Sequence, residues 1–327
     1  METIPALLAR RARTLPDGVL LDDSLGIWNF ADAFTAIGGV AQRLYSLGVT
    51  EGTVVAVLPQ TNRQQALYEL AVLCLGGAVV DFPDGIPPDG AELARQLDER
   101  AVHLLLLSSA AQHQMLAPHL DELYDLVHLF AIEPIAGLPQ LQPAEADVAA
   151  LLARIAKVSP SQDAWIEAQT GEVLRHEQVA RAQQALPLHA ADRRVMCLPA
   201  WSRLSRMALY RFEGGVVVRE AALEDALLAE QPTVLLTTPA SLSAWWSGAR
   251  EELGAMGWML LRWGMSVGRQ DGSSRRLRAQ QRLAEPLVLQ PTRERLGGTL
   301  KQIVCEPEAS DAIQRRFAGL GVSISAP

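Results

Sequence analysis

Side chains able to do chemistry are sparse and scattered along this chain of 327 residues. Its three cysteines, Cys74, Cys197 and Cys305, lie far apart and form no Cys-x-x-Cys pair, so neither a zinc site nor a disulfide framework can be read. The six histidines are dispersed. His103 and His128 fall inside strand patterns, and the spacing of His113 and His119 does not put them on one helix face. Ser108–Ser109 and Thr237–Thr238 follow apolar runs, where nucleophiles can stand, yet no Gly-x-Ser-x-Gly elbow surrounds either pair. Lys157 and Lys301 are the only lysines, so any catalytic lysine has two candidates. Glycine pairs at 38–39, 76–77, 214–215 and 297–298 fit neither Gly-x-Gly-x-x-Gly nor Gly-x-x-x-x-Gly-Lys-Ser/Thr. The pairs at 76–77 and 214–215 are expected at helix-to-strand turns, where glycine supplies a left-handed cap. Tryptophans cluster late, at Trp201, Trp245, Trp246, Trp258 and Trp263. Neighbours on a helix point about 100° apart, so one of Trp245 and Trp246 is expected to face outward or into a cleft.

Composition narrows the setting. Half the chain is hydrophobic (49%), 20% is charged, and 29 Lys+Arg against 37 Asp+Glu give a net charge of -8. That is too apolar for disorder and too acidic for a general nucleic-acid or anionic-membrane binder. No signal-peptide pattern opens the sequence, and no apolar run reaches the ~18 residues of a membrane span. The expected setting is a reducing cytoplasm.

The elements that must position any site alternate between helix and strand. A hairpin is expected over 19–28, with Asn29 capping the helix after it. Short apolar runs at 54–59, 78–83, 102–108 and 126–132 read as buried strands, separated by helices at 62–75, 91–101 and 110–120. This is the pattern of a parallel sheet covered on both faces. Residues 133–162, with Pro134, Pro139, Pro143 and Pro160, read as a connection between two lobes. Strands and helices then resume from 163 to 327, with 257–275 read as irregular. The expected division is 1–132, 133–162 and 163–327, about what ~150 residues per domain suggests.

The order of these pieces resembles the N-terminal domain of the adenylate-forming superfamily, which includes the acyl-CoA synthetases. The likeness runs from PALLARRARTLPDG through GVTEGTVVAVLPQ and LYELAVLCLGGAVVDFP, then through VMCLPAWSRLS and GGVVVREAALEDALLAEQPTVLLTTPASL. The closing LGGTLKQIVCEPEAS is most similar to long-chain acyl-CoA synthetases. The resemblance implies two α/β lobes with mainly parallel, helix-covered sheets. It implies that the small barrel and the C-terminal domain are absent, since their motifs would follow Pro327.

Departures from the family pattern are internal. A phosphate loop of the kind Thr-Ser-Gly-Thr-Thr-Gly-x-Pro-Lys-Gly presents backbone N–H groups and a lysine to ATP. The matching stretch here is WIEAQTGEVLRHEQV, where only Thr170 and Gly171 survive. A tight hairpin turn is expected in its place, and Glu172 beside it would repel a triphosphate. The turn that approaches adenine is degenerate: Cys305, Glu306 and Pro307 stand where glycines give close backbone approach. An acyl pocket, if retained, would be lined near Trp201, Thr238 and Pro239.

The resemblance therefore implies a degenerate protein without ligase activity, needing no cofactor or metal and acting as a binding or scaffolding partner. The partner would be an acyl carrier protein, a true synthetase or a second copy, with Trp245, Trp246, Trp258 and Trp263 as interface candidates. Two alternatives stay open. One is an acyl-adenylate-forming ligase using ATP and magnesium, with phosphate contacts from Arg175, His176 or Arg193–Arg194. The other is an acyl-ligand sensor.

Overall fold

The computed structural model describes residues 2–83, 85–199, 202–219, 222–268 and 275–327. The chain forms two compact units. Unit 1 takes the residues up to Leu186 and, further on, Pro199–Glu213; unit 2 takes Pro187–Leu198 and Gly214–Pro327.

Unit 1 opens with α1 (Ile4–Thr14), the hairpin β1 (Val19–Asp23) and β2 (Gly26–Asn29), and α2 (Phe30–Ser46). Asn29 caps α2 as its sequence position implies, accepting from Asp32 N at 2.8 Å. There follow β3 (Val54–Leu58), α3 (Asn62–Cys74), β4 (Ala78–Asp81), α4 (Gly90–Glu99), β5 (Leu104–Leu107), α5 (Ala110–Leu116) and β6 (His128–Ala131). Gly76, at φ 79°, supplies the left-handed turn that ends α3. Then come α6 (Val148–Ile155), β7 (Asp163–Glu167), β8 (Val173–Arg175), α7 (His176–Ala185) and, after the excursion into unit 2, α8 (Arg203–Tyr210). The sheet is six-stranded in the order β6-β5-β3-β4-β7-β8. It is parallel except for β8, which returns antiparallel on β7. Its apolar strands are buried on both faces, as continuous Val and Leu runs require.

Unit 2 contains β9 (Arg194–Met196), β10 (Val216–Val218), α9 (Leu223–Glu230), β11 (Val234–Thr237), α10 (Pro239–Gly268), α11 (Arg275–Ala284), α12 (Gln290–Arg295), β12 (Gln302–Cys305), α13 (Asp311–Ala318) and β13 (Ser323–Ser325). Its strands are parallel in the order β13-β12-β11-β9-β10. A core built on Leu235, Leu242, Trp246, Ile303 and Phe317 fills one face.

Three expectations are corrected. The division does not fall at 133–162, because β7 pairs in parallel with β4 (Val79 with Trp165) and so carries residues up to Leu186 into unit 1. The proline-rich stretch is packed rather than a linker: Leu141, Leu151 and Ile155 are buried. Residues 257–268 are helical, not irregular, since α10 runs on past a break at Gly254 (φ 63°); residues 269–274 lie outside the described residues.

Candidate functional site

The stretch WIEAQTGEVL folds as a tight hairpin, β7–turn–β8. Gly171 takes φ 73°, which a non-glycine residue rarely adopts. Four backbone donors around the turn, those of Glu167, Ala168, Gly171 and Glu172, are engaged within the protein. Glu167 N donates to Glu172 O at 2.8 Å, Ala168 N to Asp81 O at 2.8 Å, and Gly171 N to Glu167 O at 2.9 Å. Glu172 N donates to Thr170 Oγ1 at 3.1 Å. Arg100, at the end of α4, donates from Nε to Ala168 O at 3.2 Å and lays its guanidinium against Gly171. A phosphate-binding loop works by leaving such N–H groups free and converging. Here those four close the turn on itself.

A second cluster, which the sequence reading passed over, sits at the carboxyl ends of β4 and β7. Arg206 on α8 meets Glu69 on α3, with Nε at 3.0 Å and Nη2 at 2.7 Å, and also pairs with Asp81. Tyr210 donates to Glu69 Oε2 at 2.8 Å. Arg203 extends the chain of charges, reaching Asp81 at 2.7 Å and Glu167 at 3.3 Å. Glu69, Asp81 and Arg206 are fully buried, and the guanidinium of Arg206 lies 5.9 Å from the Trp165 ring centre. Burial pushes the Glu69 carboxyl up, against the pull of Arg206. Burial works against the charge of Arg206, but Glu69 and Asp81 outweigh it and hold the guanidinium firmly protonated. The cluster is a clamp: it fastens α8 to α3, β4 and β7, and so explains why Pro199–Glu213 belongs to unit 1. Its signature in the sequence is a charge inside an apolar element: Glu69 within LYELAVL, Asp81 within AVVDF and Arg206 within RLSRMALY.

The residues considered for phosphate contacts are not brought together. His176 is fully buried at the start of α7 and is therefore closed to a ligand, and burial lowers its pKa to about 4. Arg175 is exposed beside Asp163, 4.0 Å away on the facing strand. Arg194 is buried and donates to His189 O at 2.7 Å. Arg193 is exposed just before β9, and so at the amino ends of the unit 2 strands.

At the opposite ends of those strands, Thr238 serves as a helix cap: its Oγ1 accepts from Ser241 N at 3.2 Å, and Pro239 occupies the first position of α10. Trp201, the third residue of the expected acyl pocket, lies outside the described residues. Cys305 ends β12 opposite Thr237, and burial pushes its thiol up to about 12. Glu306 N then donates to Thr237 O at 3.3 Å, and the Glu306–Pro307 peptide is cis.

The tryptophans correct another expectation. Trp245 and Trp246 are both buried, in edge contact at 5.2 Å between ring centres, and Phe317 packs on both. A helix enclosed on two sides hides both rings despite their angular separation. Trp258 and Trp263 are partly buried against the same core. Trp245 and Trp246 are therefore core residues, not a partner surface.

Among the described residues, no group of three or more His, Cys, Asp or Glu is placed to hold a metal ion, and no helix is long and apolar enough to cross a membrane.

With this architecture in view, the class of fold is defined by comparison. The chain has the fold of the N-terminal domain of acyl-CoA ligases. An isolated N-terminal domain, that of FACL13 from Mycobacterium tuberculosis, superposes with a TM-score of 0.67 at 13% identity, over 100% of this chain and 75% of that one. The putative long-chain-fatty-acid CoA ligase from Rhodopseudomonas palustris gives 0.69 at 16% identity, over 98% and 74%. The Mycobacterium tuberculosis fatty acyl CoA synthetase gives 0.66 at 14% identity, over 98% of this chain but only 58% of the synthetase. No protein-family model matches the chain, and no curated protein matches it in sequence.

Proposed function

We propose that this chain keeps the ligase fold without adenylating an acid, and acts as a binding or scaffolding protein in acyl or secondary metabolism. The observation that supports this is the closed turn at 168–172. The N–H groups of Ala168, Gly171 and Glu172 bond within the hairpin and to Asp81, and Arg100 covers Gly171. The resemblance puts that turn where the phosphate loop would stand. Adenylation depends on donors aimed at the phosphate charge that develops in the transition state, and losing one such donor typically costs ~10²–10³ in rate. A turn that spends the N–H groups of Glu167, Ala168, Gly171 and Glu172 internally, and carries the Glu172 carboxylate, works against a triphosphate. In this reading the protein needs neither ATP nor magnesium. Its partner is another protein: an acyl carrier protein, an active synthetase or a second copy.

The test has two arms. Magnesium-dependent ATP–pyrophosphate exchange is measured with a panel of fatty and aryl acids, and an acyl-sulfamoyl adenosine is titrated by calorimetry. Silence in both supports the reading. Acid-dependent exchange overturns it and establishes a ligase with an unusual nucleotide site. Uptake of free acid alone establishes an acyl-ligand sensor.

A further inference from the structure

Unit 2 carries a second feature, independent of the turn at 168–172. A surface pocket of about 590 Å³ opens between α10 and α13, lined by Arg250, Trp258, Arg262, Met265, Arg315 and Arg316. The geometry follows from the core beneath it. Phe317 locks α13 onto Trp245 and Trp246, with ring centres 6.0 and 5.6 Å away. Gly319 lies so close to Met265 that an added β-carbon would stand 2.7 Å from its Cβ. Arg315 and Arg316, immediately before Phe317, are thereby held against α10. On α10 the break at Gly254 separates Arg250 from Trp258, and the Arg250 guanidinium turns back to lie 5.9 Å from the Trp258 ring centre.

All four arginines are exposed. Among the described residues, none of them forms an ion pair. Arg315 Nε donates to Asp311 O at 3.1 Å, which fixes the side chain and leaves its outer nitrogens for another acceptor. In a chain of net charge -8, four cations gathered around one concavity without a carboxylate partner are a local inversion of sign. Like charges lining one concavity repel, and an anion entering between them relieves that repulsion. Guanidinium forks match phosphate oxygens in pairs, and the Trp258 face supplies a dry wall to one side.

We propose that this pocket binds a small phosphate-bearing compound of two or more negative charges. Inorganic pyrophosphate is the probe, titrated calorimetrically into the full chain. The expected result is saturable binding that weakens as salt rises. Affinity should fall at least about tenfold in R262Q/R316Q, while R10Q/R13Q, on α1 of unit 1, leaves it unchanged. Should R262Q/R316Q lower the unfolding temperature, R250Q/R315Q decides on the same criterion. Absence of saturable binding, or equal loss in the α1 variant, overturns the proposal. So does binding of a poly-glutamate peptide when pyrophosphate does not bind, which would mark an acidic-protein surface instead. Failure here leaves the exchange assay of the proposed function untouched, because that assay reads bond formation and not anion binding.

Discussion

The guanidinium of Arg100 rests on Gly171 so closely that a β-carbon there would overlap its Nη1. Gly171 also holds φ 73°. Gly171→Ala therefore meets two penalties, a left-handed backbone and a displaced arginine. The backbone part is worth about 1–2 kcal/mol. Urea unfolding should show G171A destabilised by at least that amount. Adding Arg100→Ala should recover the overlap but not the backbone part. A G171A chain as stable as the parent would mean that the turn is not held as described.

Arg206 is the residue on which the buried clamp depends, because among the described residues it alone pairs with both Glu69 and Asp81. Removing one partner of a buried ion pair typically costs about 3–5 kcal/mol, since the other charge is stranded. Arg206→Met should fall in that range by chemical denaturation. Arg203→Met should cost distinctly less, because Arg203 is 24% exposed and water can replace it. Equal losses at the two positions would refute the ranking.

How much of this was legible in the sequence can be judged residue by residue. Period and capping announced the strands and most helices: Asn29 caps α2, and Val54–Leu58 is a buried strand, as their patterns require. The boundary between units was not legible, because β7 resumes the first sheet after thirty residues of proline-rich chain and only long-range pairing with β4 reveals it. A helical wheel sets Trp245 and Trp246 about 100° apart, and their shared burial depends on Phe317, which is distant in sequence. The pocket arginines were invisible for the same reason: Arg262 and Arg316 come to line one pocket only when α13 docks on α10. The closed turn at Gly171 was readable, since a short polar link between two strand-like runs leaves room for little else.

His176 gives the fold a pH dependence of known sign. Its pKa drops from 6.5 to about 4 on folding because burial disfavours the imidazolium. Below pH ~6.5 the unfolded chain takes up a proton that the folded one refuses. Stability is therefore full above that value and declines as pH falls toward 4. A shift of this size corresponds to a loss of about 3 kcal/mol. His176→Leu should flatten the decline between these pH values in a series of denaturant titrations, whatever it does to stability at pH 8. An unchanged slope would assign the decline to other groups.

The thiols should be silent in the native protein. Burial pushes Cys197 up to about 11, Cys305 to about 12, and Cys74 higher still. The thiolate is the reactive form. At pH 8 a disulfide reagent should label none of the three quickly, and all three once denaturant is added. Rapid labelling of one thiol in the native state would contradict the burial found here.

The return of Pro199–Glu213 to unit 1 sets an order of events during synthesis. A nascent chain that has emerged only to Leu186 holds Glu69 and Asp81 in its interior with the answering arginines still unmade. Unit 1 cannot finish folding until α8 arrives, and by then β9 of unit 2 has already been translated. Because their chain segments interleave, no single cut of the gene yields two self-sufficient fragments. The clamp at Arg206 therefore makes completion of the first unit wait on the opening segment of the second.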